Sequence, residues 1–143
     1  MFELVDSLMR WRASLLLEGR VDDLVREVLF PFALYVGGAW MIFASGDALA
    51  QYLAETLKSR PDRGIVRLTT RVVAMDMPRD GRFRVWVEHS DHTAAGLAAD
   101  RYISLHYCRE TARGIQTEML HLYPLAGRLA TVPVIGVKAG CPA

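Results

Sequence analysis

VLFPFALYVGGAWMIFASG, residues 28–46, is the stretch whose reading decides the fold. Its 19 residues carry no charge, and Glu27 and Asp47 close it on either side. A membrane-spanning helix needs about 20 apolar residues, so length alone would permit one. Pro31 and the Gly37-Gly38 pair weaken a helix, however, and neither flank is a basic cluster. Gly-Gly between two aromatic and β-branched runs is a two-residue hairpin signal. The stretch is therefore read as a buried β-hairpin turning at Gly37-Gly38, with a helix before it and a helix after it. In that register Tyr35 faces Trp40 and Ala33 faces Ile42, while Phe32, Leu34, Met41 and Phe43 share the other side. Both sides are apolar, so both are expected to be covered.

Outward from the hairpin, residues 1–18 read as a helix. Leu4, Leu8, Trp11 and Leu15 fall on one stripe, widened by Val5, Met9 and Leu16, and Gly19 is placed to cap it. A second helix is expected from Val21 to about Leu29, with Asp22 and Asp23 in its first turn and Pro31 ending it. After the hairpin, Ser45 is a plausible N-cap for a third helix whose inward stripe is Leu49, Tyr52, Leu53, Thr56 and Leu57. Residues 60–64 then read as a loop.

From Gly64 the apolar period changes to two. IVRLTTRVVAMDM sets Arg67, Thr69 and Arg71 against Val66, Leu68, Thr70 and Val72. RFRVWVEHSDHT sets Arg84, Trp86 and Glu88 against Phe83, Val85, Val87 and His89. Pro78-Arg79-Asp80-Gly81 joins them as a turn. A two-residue loop would put Arg71 opposite Glu88, and a bulged three-residue loop would shift the register by one. After a small-residue loop at 94–100, RYISLHYCRE and GIQTEMLHLY form two more strands joined at 111–114. Residues 124–143 are an apolar tail punctuated by Gly and Pro, expected to pack on the sheet or on a partner, and VPVIGV within it suits a short strand.

The chain of 143 residues is expected to form one domain with a real core. Hydrophobic residues make up 52% and charged residues 23%, an ordinary globular balance. A net charge of +1 supplies no field to favour nucleic acid or an anionic membrane. Glu3 and Asp6 stand where a signal peptide would be basic. Two cysteines, Cys108 and Cys141, make no disulfide framework and point to a reducing cytoplasm.

The order helix, helix, hairpin, helix, then long antiparallel strands resembles the nuclear transport factor 2-like superfamily, and within it the SnoaL-like group. Residues 18–24 (EGRVDDL), residues 46–53 (GDALAQYL) and the last strands from Arg101 to Tyr123 carry the resemblance. It implies an α+β fold in which three N-terminal helices pack in the concave face of a strongly curved antiparallel sheet, forming a cone with a pocket. It also implies a small hydrophobic ligand, a homodimer, or both. The family includes isomerases, dehydratases and cyclases as well as non-catalytic domains, so fold does not settle activity. No cofactor is implied.

The four histidines all lie in the strand-rich half. The final hairpin closes with Glu110 opposite either Gly114 or Ile115. The second closure puts Tyr102, Ser104, His106 and Cys108 on one side with Thr117, Met119 and His121, a polar but uncharged face suited to a pocket wall. His106 and His121 are the candidate general acid or base, since histidine titrates near neutral pH. Tyr35 and Trp40 are candidates for the pocket floor, with Tyr102, Ser104 and Met119 along its wall. His89 and Asp91 lack a third metal ligand and read as a polar strand end. Phosphate-binding glycine loops, nucleophile elbows and zinc-finger spacings do not occur. The competing expectation is a non-catalytic dimerisation or interaction module whose cavity is filled by its own side chains.

Overall fold

A computed structural model of the chain describes residues 1–62, 64–96 and 98–124. The elements are α1 (Phe2–Glu18), α2 (Val21–Val25), β1 (Val28–Val36), β2 (Ala39–Phe43), α3 (Gly46–Asp62), β3 (Ile65–Met75), β4 (Arg82–Thr93), β5 (Ala98–Thr111) and β6 (Gly114–Pro124). The six strands form one sheet in the order β2-β1-β6-β5-β4-β3. Every neighbouring pair is antiparallel except β1 with β6, which run parallel. The strand expected within the tail lies outside the described residues.

The hairpin forms in the expected register, Tyr35 opposite Trp40 and Phe32 opposite Phe43. Gly37 and Gly38 both take positive φ, 58° and 82°, the conformation a two-residue turn between right-twisted strands requires. Its two faces differ. Phe32, Leu34, Met41 and Phe43 are buried, whereas Trp40 is 44% and Ile42 65% exposed. The expectation that both sides are covered is corrected: the apolar run reflects one core face and one open face.

Two helix expectations also change. The second helix is a single turn ending at Val25, and Pro31 lies inside β1 rather than ending a helix. A proline cannot donate to a ladder, and the β1–β6 register is interrupted between Val28 and Ala33, where Pro31 sits. In α1 the buried side chains are Val5, Met9, Arg12, Ala13 and Leu15, while Leu4 and Trp11 are exposed. The inward stripe is rotated from the expected one because it accommodates an arginine. Gly19 caps α1 in the left-handed conformation, its N–H donating to Leu15 and Leu16 carbonyls. Ser45 Oγ accepts from the Ala48 N–H, 3.4 Å, at the start of α3. That helix continues to Asp62, through most of the expected loop.

The β3–β4 turn is centred on Asp80-Gly81, both at positive φ, with Arg79 bridging Arg82. A register shift between Val72 and Ala74 then brings Arg71 opposite Glu88. Val66 is exposed rather than inward, since a second shift follows Ile65. β5 begins at Ala98, shortening the expected loop.

The core has two parts. One gathers Phe32, Leu34, Met41, Phe43, Leu49 and Leu122 between the hairpin and α3. The other gathers Val5, Met9, Val72, Phe83, Val85 and Val87 between α1 and β3–β4.

Candidate functional site

A cavity of about 180 Å³ separates these two parts of the core. Helix side chains such as Met9, Leu49 and Leu53 line it on one side, and Phe32, Leu34 and Leu120 line it from the sheet. Its polar residues concentrate on β4–β6, where a row of side chains crosses the concave face.

The row begins at Thr70, whose Oγ1 lies 3.1 Å from His89 Nδ1. His89 Nε2 is 2.7 Å from Ser104 Oγ, which is 3.0 Å from His106 Nε2. His106 Nδ1 is 3.3 Å from Thr117 Oγ1. Arg12 completes the row from α1, donating through Nη1 to Thr117 Oγ1 at 3.0 Å and through Nη2 to the Ile115 carbonyl at 2.7 Å. Its Nε donates to Glu27 Oε1 at 2.9 Å. A buried guanidinium is tolerated only when paired and hydrogen-bonded, and each nitrogen of Arg12 has an oxygen partner.

Burial pushes the His106 pKa well below its ordinary value, with the Arg12 charge and His89 adding to the effect. His106 is therefore a neutral imidazole at pH 7, one nitrogen donating and the other accepting. Burial also pushes Tyr52 up to about 12 and Cys108 up to about 11, so neither is an anion near neutrality. Among the described residues, no group of three or more His, Cys, Asp or Glu side chains is placed to hold a metal ion.

Of the residues singled out in the sequence, Tyr102, Ser104 and His106 line the cavity; Tyr35, Trp40, Met119 and His121 do not. The reason is one residue. The hairpin closes with Glu110 opposite Ile115, but the register slips between Tyr107 and Cys108, leaving Glu118 as an extra residue on β6. Beyond it Leu120 pairs with His106 and Leu122 with Ser104, so those leucines face inward. Met119 and His121 are turned to the other face. There His121 stacks edge-on to Tyr35 at 4.5 Å and lies 5.0 Å from Tyr123, and Tyr35 meets Trp40 at 4.6 Å. The sequence reading missed Arg12, Glu27 and His89 as cavity residues. A signal for Arg12 existed: it sits three residues after Met9 and seven after Val5, on their stripe.

Solved structures similar to this chain share its architecture. A domain of unknown function with a cystatin-like fold from Nostoc punctiforme has a TM-score of 0.69 at 10% identity, covering 86% of this chain and 76% of that one. An NTF2-like protein with a cystatin-like fold from Novosphingobium aromaticivorans has a TM-score of 0.64 at 15% identity, covering 90% and 84%. The chain has the nuclear transport factor 2-like fold. A ketosteroid isomerase-like protein from Erwinia carotovora atroseptica also has it, with a TM-score of 0.59 at 12% identity, covering 80% and 88%. At such identities the likeness concerns the fold and does not single out the SnoaL-like group. No family model and no curated protein matches the sequence.

Proposed function

We propose that this NTF2-like domain binds a small hydrophobic molecule in the cavity between its helices and the concave face of its sheet. The observation that carries the reading is the cavity itself, about 180 Å³ of space walled by leucine, valine, methionine and phenylalanine with a hydrogen-bonded row on one side. Ligand sites have this composition, mostly apolar with a few oriented polar groups. Acid–base chemistry on the ligand would fall to His106, the imidazole at the cavity wall, and His121 would have no part in it. A cytoplasmic location fits the two-cysteine sequence.

The test is mass spectrometry of organic extracts from the purified protein, with toluene titration followed by NMR. Ala13 lines the cavity and is 8% exposed, so Ala13→Leu fills space there. Toluene binding that survives unchanged in Ala13→Leu would put the ligand elsewhere. Any turnover found should vanish in His106→Gln and persist in His121→Gln.

A second role, assembly, is favoured by the open face of the hairpin, where Trp40 and Ile42 are exposed beside Tyr35 and His121. We propose that this face is the homodimer contact. It lies on the other side of the sheet from the cavity, so assembly and ligand binding are compatible.

A further inference from the structure

The cavity and its polar row also limit the class of ligand, an inference that rests on the ligand-binding reading above. The first limit is size. A cavity of about 150 Å³ lined by aliphatic and aromatic side chains takes benzene, and this one is about 180 Å³. One ring with a small substituent fits it; a fused polycyclic molecule would have to extend beyond it.

The second limit is charge. Among the described residues that line the cavity, Arg12 is the only guanidinium, and Glu27, Thr117 and the Ile115 carbonyl already engage its three nitrogens. Glu27 is correspondingly held by Arg12. A charged ligand would enter an apolar space without a counter-ion, and its desolvation would go uncompensated.

The third limit follows from counting hydrogens along the row. Thr70, His89, Ser104, His106 and Thr117 each carry one hydrogen able to donate when the imidazoles are neutral. Four contacts join these five groups in sequence. Arg12 contributes its own hydrogen to Thr117 and takes none. At least one hydroxyl hydrogen is therefore left over whichever tautomers the two histidines adopt. If all four contacts run toward Thr70, the spare hydrogen is on Thr70, which does not line the cavity. If they run toward Thr117, it is on Thr117, whose other neighbour is the weak acceptor Cys108 Sγ at 4.0 Å. If the two imidazoles both donate to Ser104, it is on Ser104. If they donate outward, Ser104 serves one imidazole and both Thr70 and Thr117 keep a spare hydrogen. Three of the four arrangements thus leave one on Ser104 or Thr117. Ser104 and Thr117 both line the cavity.

We propose that the cavity selects a neutral, single-ring molecule bearing one hydrogen-bond acceptor, a carbonyl above all, which takes the spare hydroxyl hydrogen of Ser104 or Thr117.

The test titrates the full chain with cyclohexanone, cyclohexane, cyclohexanecarboxylate and progesterone, following each by NMR or calorimetry. Cyclohexanone should bind more tightly than cyclohexanecarboxylate and progesterone. Removing the hydroxyls should separate the two neutral single rings. In Ser104→Ala/Thr117→Val, cyclohexanone should weaken about tenfold, the worth of roughly one hydrogen bond, while cyclohexane changes less than about twofold. Thr117→Val alone serves if the double variant does not fold, with the same divergence expected in part. Progesterone binding above cyclohexanone would overturn the size limit, and a preference for the carboxylate would overturn the charge limit; either result leaves the cavity as a ligand site. Equal weakening of cyclohexanone and cyclohexane in the variants would overturn the hydroxyl contact. If none of the four binds, the ligand-site reading itself falls and this inference with it.

Discussion

Lowering the pH should destabilise this fold through His106 in a measurable way. In the folded state burial, the nearby Arg12 charge and His89 all oppose protonation of His106, so its pKa lies well below the ordinary value. In the unfolded chain it titrates near 6.5. The sign follows from proton counting. Below pH about 6.5 the unfolded state binds a proton that the folded state does not, so stability falls as pH falls and is fully present above that value. The slope approaches about 1.4 kcal/mol per pH unit for one such group, until the folded pKa is reached. Between pH 6.5 and 5 that amounts to about 2 kcal/mol at most. Other titratable groups contribute to the wild-type curve as well, so that curve alone decides nothing. The difference between wild type and His106→Gln removes their contribution. Glutamine keeps hydrogen-bonding capacity toward the row but does not titrate. Urea denaturation at pH 7.5, 6.5, 5.75 and 5 should show the two proteins converging as pH falls, with wild type losing the larger part of its advantage by pH 5. Parallel curves across that range would refute the burial of a neutral His106.

Arg12→Met should cost about 3 kcal/mol, because it leaves the partly buried Glu27 carboxylate without its guanidinium; adding Glu27→Gln should recover part of that loss, and urea midpoints for the single and double variants check it. In contrast, Arg71→Ala should change stability by less than about 0.5 kcal/mol. Arg71 is 66% exposed at 3.7 Å from Glu88, which Arg101 also approaches at 3.3 Å. For assembly, Trp40→Ser/Ile42→Ser should sediment as a monomer where wild type sediments as a dimer, and a wild-type monomer at micromolar concentration would end the dimer proposal.

The parts of the fold legible in the sequence were those set by local chemistry. Gly37-Gly38 has to be a turn because its backbone takes positive φ twice, and that one fact fixed the pairing of Tyr35 with Trp40. The change from helical to alternating period at Gly64 located β3. What could not be read locally depended on distant partners. Arg12 is disqualifying in a count of apolar stripes, and only Thr117, Glu27 and Ile115 make its burial possible. Thr117 is 105 residues away along the chain. Pro31 reads as a helix terminator until it is seen where the β1–β6 pairing is broken. His106 and Ser104 could be placed on one face because they are two residues apart on one strand. Met119 and His121 could not, because their facing depends on an extra residue that leaves no mark on the alternation.

That extra residue makes the sharpest claim about the site. Glu118 is held on the outer side, 3.5 Å from Arg82 and 3.9 Å from Arg109. The segment before it is anchored inward: the Thr117 N–H donates to the Glu27 carbonyl at 2.9 Å and Gln116 Nε2 to the Arg26 carbonyl at 2.8 Å. Deleting Glu118 would keep the anchor and remove only the slip: Met119 would follow Thr117 directly and still pair with Tyr107, so Leu120 and Leu122 would stay inward and Met119 and His121 outward. Inserting one alanine between Met119 and Leu120 instead turns every residue from Leu120 onward, so Leu120 and Leu122 leave the core and His121 enters it. Each leucine turned outward forfeits about 1.5–3 kcal/mol of burial, and a total of several kcal/mol is a large share of a domain's stability. Glu118→Ala keeps the residue count and loses only exposed ion pairs, worth about 0–1 kcal/mol. The insertion should therefore fail to fold or unfold at much lower urea, while the substitution stays close to wild type. If the two variants were equally stable, β6 would tolerate either register, and the separation of His106 inside from His121 outside would not be built into the fold.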